Sequence, residues 1–163
     1  MTEEDRNQSE GLQMPQSGVR GFSPSALDAA MSRKRASNDD LADAIGVSRQ
    51  SVAAWRSGRS IPTAVLLRKA ASWLTVAVAD LVPIDDERLR ISDLRIRVGL
   101  TQRMAATDLG LNPTAVAEIE KGRRSFSDEV ARSMASVYRT DVDAVRMAWE
   151  RTNAARKARL DSM

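Results

Sequence analysis

The 163-residue sequence contains neither cysteine nor histidine. That excludes disulfides, Cys/His zinc sites, cysteine or histidine nucleophiles and imidazole proton shuttles together. Aromatic residues make up only 4% of the chain, a supply that suits a helical protein with a lean core better than a β-sandwich. No apolar run approaches the ~18 residues that a membrane span needs, and no signal-peptide core is visible. The expected location is therefore the cytoplasm, alongside the nucleoid, with no membrane partner. No stretch alternates β-branched and polar residues with a period of two, so an all-α fold is expected. The sequence also lacks a nucleophile–base–orienter set and a phosphate-cradling glycine loop. No enzymatic activity, cofactor, metal or small-molecule substrate is expected. The acidic run Asp85, Asp86 and Glu87 has no converging partners and reads as a helix start in a linker.

Charge is present, but unevenly. Of 25 basic and 22 acidic residues, the first 22 positions hold two and four. The remainder carries a modest basic surplus, a weak footprint for nucleic acid when taken alone. Residues 1–22, "MTEEDRNQSEGLQMPQSGVRGF", are polar and nearly without aliphatics, and are expected to form a disordered arm.

From Ser23 onward the chain repeats itself. At an offset of 64, "ASNDDLADAIGVSRQSVAAWRSGRS" (36–60) lies without a gap on "LTQRMAATDLGLNPTAVAEIEKGRR" (100–124). Ala42 meets Ala106, Gly46 meets Gly110, Gly58 meets Gly122 and Arg59 meets Arg123. Apolar positions are kept as Ile45/Leu109, Val52/Val116 and Trp55/Ile119. Each copy predicts about five helices. In the first, Ser23, Ser37, Ser48 and Thr63 are N-cap candidates, with Asp40 completing a capping-box pattern after Ser37. In the second the corresponding caps are Thr101, Asn112, Ser127 and Asp141, with Pro113 in the first turn of the third helix. Expected domains are 23–83 and 86–147, followed by a basic helical extension over 148–163. The connecting "PIDD" reaches at most ~14 Å, which makes the domains neighbours.

The run of capped helix, "LADAIGVS", third helix and closing Gly-Arg resembles the lambda-repressor-like family, also called XRE or Cro/repressor. The resemblance covers most of both copies. It implies two tandem five-helix helix–turn–helix domains that bind a double-stranded DNA operator; a homodimer is a separate, open partner reading. The second copy is the closer match, with "GLTQ", "DLGLN" and "IEKGRR". The first departs from the family by having Asn38 for Gln and Arg56 for Glu.

Helical geometry assigns candidate side chains. With the core direction placed between Val52 and Trp55, the outward arc of the third helix holds Arg49, Gln50, Ala53, Ala54 and Ser57. Arg pairs bidentately with guanine, Gln with adenine, and an alanine methyl meets a thymine methyl. In the second copy the base-reading candidates are Thr114 and Glu118, beside Pro113, which donates nothing. Asn38 and Gln102 open the second helices, where the family resemblance implies phosphate contact. The capping and first-turn residues Ser48, Ser51 and Asn112 are counted with them, since helix N-termini present free N–H groups. Arg59, Lys121, Arg123 and Arg124 stand at or beyond the ends of the third helices, as further phosphate candidates. The resemblance also implies an internal ion pair between Arg95 and Glu120. The first copy has Met31 and Arg56 in those places, so Arg56 is expected to be free for solvent or phosphate.

The tail "DAVRMAWERTNAARKARLDSM" carries an apolar stripe at Val145, Ala148 and Trp149, followed by Arg151, Arg156, Lys157 and Arg159. A frayed basic helix, a dimerisation helix through Met147 and Trp149, and an arm adding phosphate contacts are all open readings. For the whole chain the leading expectation is a sequence-specific DNA-binding regulator, a repressor of phage or mobile-element type. The alternative is a protein-interaction module, such as an antitoxin, built on the same fold.

Overall fold

The computed structural model describes residues 18–163. Among the described residues there are ten α-helices, one short 3₁₀ turn and no strand. The first five are α1 (Pro24–Lys34), α2 (Asn38–Ile45), α3 (Arg49–Ser57), α4 (Ala64–Leu74) and α5 (Val78–Leu81). After the 3₁₀ turn Asp86–Arg88 come α6 (Ile91–Arg97), α7 (Gln102–Leu109), α8 (Pro113–Glu120), α9 (Asp128–Val137) and α10 (Val142–Asp161).

Helix starts follow side-chain chemistry. Ser37 Oγ accepts from the Asp40 N–H at 3.1 Å while the Asp40 carboxylate accepts from the Ser37 N–H at 2.8 Å. These backbone and hydroxyl donors hold the Asp40 carboxyl below its ordinary range. Thr63, Thr101, Asn112, Ser127 and Asp141 each accept from a first-turn N–H in the same way. Each cap satisfies a donor that the helix itself leaves unpaired.

Each copy builds its own core. In the first, Leu27, Met31, Leu41, Val52, Leu67 and Leu81 are almost fully buried. In the second, Ile91, Leu94, Ile119, Met134 and Val145 do the same work. Trp55 fills the first core from the position that Ile119 occupies in the second. Trp149 stacks edge-on against Phe126, with ring centroids 5.3 Å apart. Trp73 is half-buried beneath the Lys34 ammonium, 4.5 Å from its ring.

The two cores are joined. Ile84, in the connecting segment, packs against both, and Ile96 of α6 packs against the first. Arg68 of α4 donates to Met104 Sδ of α7 at 2.9 Å.

Residues 18–22 are not a loose arm. Val19 is 4% exposed within the first core, and its N–H donates to the Pro62 carbonyl at 3.1 Å. Arg20 forms an ion pair with Asp93 of α6 and donates to the Arg88 carbonyl at 3.3 Å. One buried valine and one buried carboxylate partner order this segment, contrary to the disorder expected from its composition. The remainder of that expected arm, 1–17, lies outside the described residues.

The basic tail after 147 is helical. It continues α10 without a break to Asp161. Thr152, 5% exposed, accepts from the Ile91 N–H at 3.1 Å and donates to the Ala148 carbonyl at 2.8 Å. Arg151 donates to the carbonyls of Asp86 and Leu89, each at 3.1 Å.

Candidate nucleic-acid interface

Ser48 starts α3. Its Oγ accepts from the Ser51 N–H at 3.1 Å and meets the Ser51 hydroxyl at 2.9 Å. Val52 and Trp55, 0% and 4% exposed, fix the rotation of the helix. The opposite face therefore presents Arg49, Gln50 and Ser57 to solvent, with Ala53 and Ala54 half-buried between them. Arg49 Nε stands 3.8 Å from Asp39 of α2, with both side chains about two-thirds exposed. A pair so open to water holds little energy and is readily exchanged for another acceptor.

Arg56 departs from expectation. Its guanidinium is held, not free: Nε donates to Asp28 Oδ1 at 2.9 Å, a second nitrogen pairs with the same carboxylate, and the third donates to Asn38 Oδ1 at 2.8 Å. Asp28 is one helical turn before Met31, so the repeat offset did not point to it. The carboxamide nitrogen of Asn38 is left as a donor.

The second copy makes the corresponding network with the opposite polarity. Arg95 of α6 and Glu120 of α8 form a bidentate pair, with side chains 8% and 6% exposed. Arg95 also donates to the Leu100 carbonyl at 2.8 Å, and Gln102 Nε2 donates to Glu120 at 2.9 Å. Both copies thus tie the first residue of the second helix to the end of the third, through Asn38 or Gln102. Tyr138, which no motif singles out, is buried in the same core. Burial, helped by the nearby Glu120 charge, pushes its hydroxyl pKa far up, so it stays neutral.

The face of α8 carries less hydrogen-bonding capacity. Asn112 Oδ1 accepts from the Ala115 N–H at 2.8 Å, and Pro113 and Thr114 are exposed beyond it. Glu118 Oε1 is 3.9 Å from both Lys121 Nζ and Arg123. Its charge is therefore offset by two neighbouring cations. Arg59, Arg123 and Arg124 are all exposed, and Arg59 Nε donates to Ser57 Oγ at 3.0 Å.

The turns that close α3 and α8 differ. Gly58 and Gly122 both have positive φ, +77° and +74°. Gly58 is exposed, with only the Pro24 ring near its open side. Gly122 is buried beneath α10, where an added methyl would meet Asn153 at 3.3 Å and Arg156 Cδ at 3.4 Å. The repeat alignment does not reveal this difference, because the same glycine stands at both positions. The Val145–Ala148–Thr152 spacing, one face of a helix, was the available signal.

Residues 33–81 match the family described as Helix-turn-helix, and residues 88–148 match the family described as Helix-turn-helix domain. No curated protein and no solved structure matches the chain.

Proposed function

From the premise that this chain carries two tandem helix–turn–helix domains, the first of XRE type, and is thereby a DNA-binding regulator, we propose that it represses transcription. It does so by occupying a specific duplex operator, in the manner of phage and mobile-element repressors. The observation that carries the reading is the first turn of α3. Buried Val52 and Trp55 hold the helix so that Arg49 and Gln50 project side by side into solvent, with small alanines behind them. That surface fits the major groove, where an Arg fork takes guanine O6/N7 and a Gln carboxamide takes adenine N6/N7. Thr114 and Glu118 give α8 a different and weaker reading surface.

Phosphates are contacted by the helix N-termini at Asn38, Ser48, Gln102 and Asn112, and by Arg59, Lys121, Arg123 and Arg124. Arg56 contributes by fixing Asn38 while keeping free N–H groups of its own.

Selection from random duplexes with the purified chain tests this. An enriched motif is expected, and Arg49→Ala relaxes preference at one base pair by ~1–3 kcal/mol. Arg59→Ala weakens all sequences alike, as a phosphate contact does. No enrichment, or an unchanged motif with Arg49→Ala, overturns the reading and favours a protein-interaction module.

A further inference from the structure

We propose that the last two turns of α10 form an additional phosphate-binding element, which clamps duplex DNA beside the second domain's reading helix. The inference rests on the DNA-binding reading above and extends it to residues outside both helix–turn–helix units.

Three observations place the element. Thr152 anchors α10 to the start of α6 through the Ile91 N–H, at 3.1 Å. Asn153, in the carboxamide orientation that satisfies both neighbours, donates to the Gly122 carbonyl at 3.1 Å and accepts from the Trp149 indole at 3.2 Å. The stem of Arg156 then lies over Gly122, with Cδ 3.4 Å from where a Cβ would stand. α10 thus crosses the turn that ends α8, flanked by exposed Lys121, Arg123 and Arg124.

Periodicity carries the face outward. Lys157 follows Asn153 by four residues and Arg159 follows Arg156 by three, so they stand on opposite flanks of the Gly122-facing side, with Arg156 between them. Each turn adds about 5 Å, so the last two turns carry these three cations onward from the contact with Gly122. All three are exposed, and no acid lies between Glu150 and Asp161. A basic last turn also suits the helix dipole. The dipole does not explain why a guanidinium stem is laid across the closing glycine of a reading helix.

The first copy has nothing comparable, since its Gly58 is exposed. The second copy joins a weak reading surface to a larger set of cations. The chemistry recognised is the phosphate backbone, without regard to base.

The test is Arg156→Gln/Lys157→Gln/Arg159→Gln in the full chain, on the duplex that the wild-type protein selects. These residues are exposed, and glutamine keeps helix propensity; an unchanged thermal melt verifies folding. The plot of log affinity against log salt is expected to lose about 2 to 3 units of slope, near 0.9 per phosphate, with the motif unchanged. Phosphate-ethylation interference is expected to disappear at two or three positions flanking the second domain's half-site. Unlike overall affinity, that pattern is not moved by net charge alone. An unchanged slope or interference pattern on DNA that the wild type binds overturns this inference. If the wild type selects no DNA, the underlying reading fails instead.

Discussion

Arg56 and Glu120 hold the same place in the repeat and carry opposite charge, yet each ties the first residue of a second helix to a first helix. Their energetic weights differ with burial. Arg95 and Glu120 are nearly out of water, so Glu120→Ala strands a guanidinium in the core and should cost ~3–5 kcal/mol by chemical denaturation. Arg56→Ala leaves Asp28 about half exposed and should cost only about 1 kcal/mol or less. The Arg95–Glu120 pair was legible because both residues sit where the family resemblance puts them. Arg56 was misread because its partner is one turn away from the repeat-equivalent position, and a fixed offset cannot show that. The outward face of α3 was legible for a different reason. Two buried residues at i and i+3 fix a helix's rotation, and Val52 and Trp55 are recognisably the large apolar residues of that helix.

The helices themselves were written in their caps. Ser48→Ala removes the acceptor for the Ser51 N–H and should cost ~1 kcal/mol. Because α3 frays from that end, the same change should weaken specific DNA binding more than non-specific binding, as competition titration will show. The Ser37–Asp40 box adds a pH-dependent part. Asp40 has a lowered folded-state pKa, so its contribution is complete above its ordinary value and is lost as pH falls through the lowered one. Helix ends without glycine were harder to see. Thr75 and Arg139 occupy equivalent repeat positions, and both take left-handed backbone, φ 59° and 55°. Left-handed backbone costs an L-residue roughly 1–2 kcal/mol, and β-branching makes threonine a poor choice. Thr75→Gly should therefore leave the melting temperature unchanged or raise it slightly, despite the entropy that glycine adds to the unfolded chain.

Across the whole molecule, the junction was the least legible part. Val19 is a single apolar residue in a polar stretch, and Ile84 is cut off from the α5 pattern by Pro83, so neither belongs to a periodicity that would reveal its burial. Yet Ile84 touches both cores, and Arg20 reaches from the first domain to Asp93 of the second. Burial raises the Asp93 pKa, against the pull of the Arg90 N–H and the Arg20 charge. Arg20→Ala leaves that carboxylate without its cation and should destabilise the chain by on the order of 1–3 kcal/mol at neutral pH. A raised folded-state pKa means that the folded form takes up a proton before the unfolded form does. The loss should shrink as pH falls from neutral through the raised value, and paired melts of wild type and variant at several pH values will measure it.

The inverted charge networks also bear on how such a chain reaches its final form. Tandem homologous domains run the hazard of misassembly, in which one unit recruits a helix from its neighbour. If α6 docked in the place of α1, Arg95 would be brought toward Arg56, setting two cations against each other where the true partner offers Asp28. If α1 took the place of α6, Met31 would leave the Glu120 carboxylate with no counter-charge. The opposed polarity therefore makes each unit's own first helix the better electrostatic match and penalises either exchange.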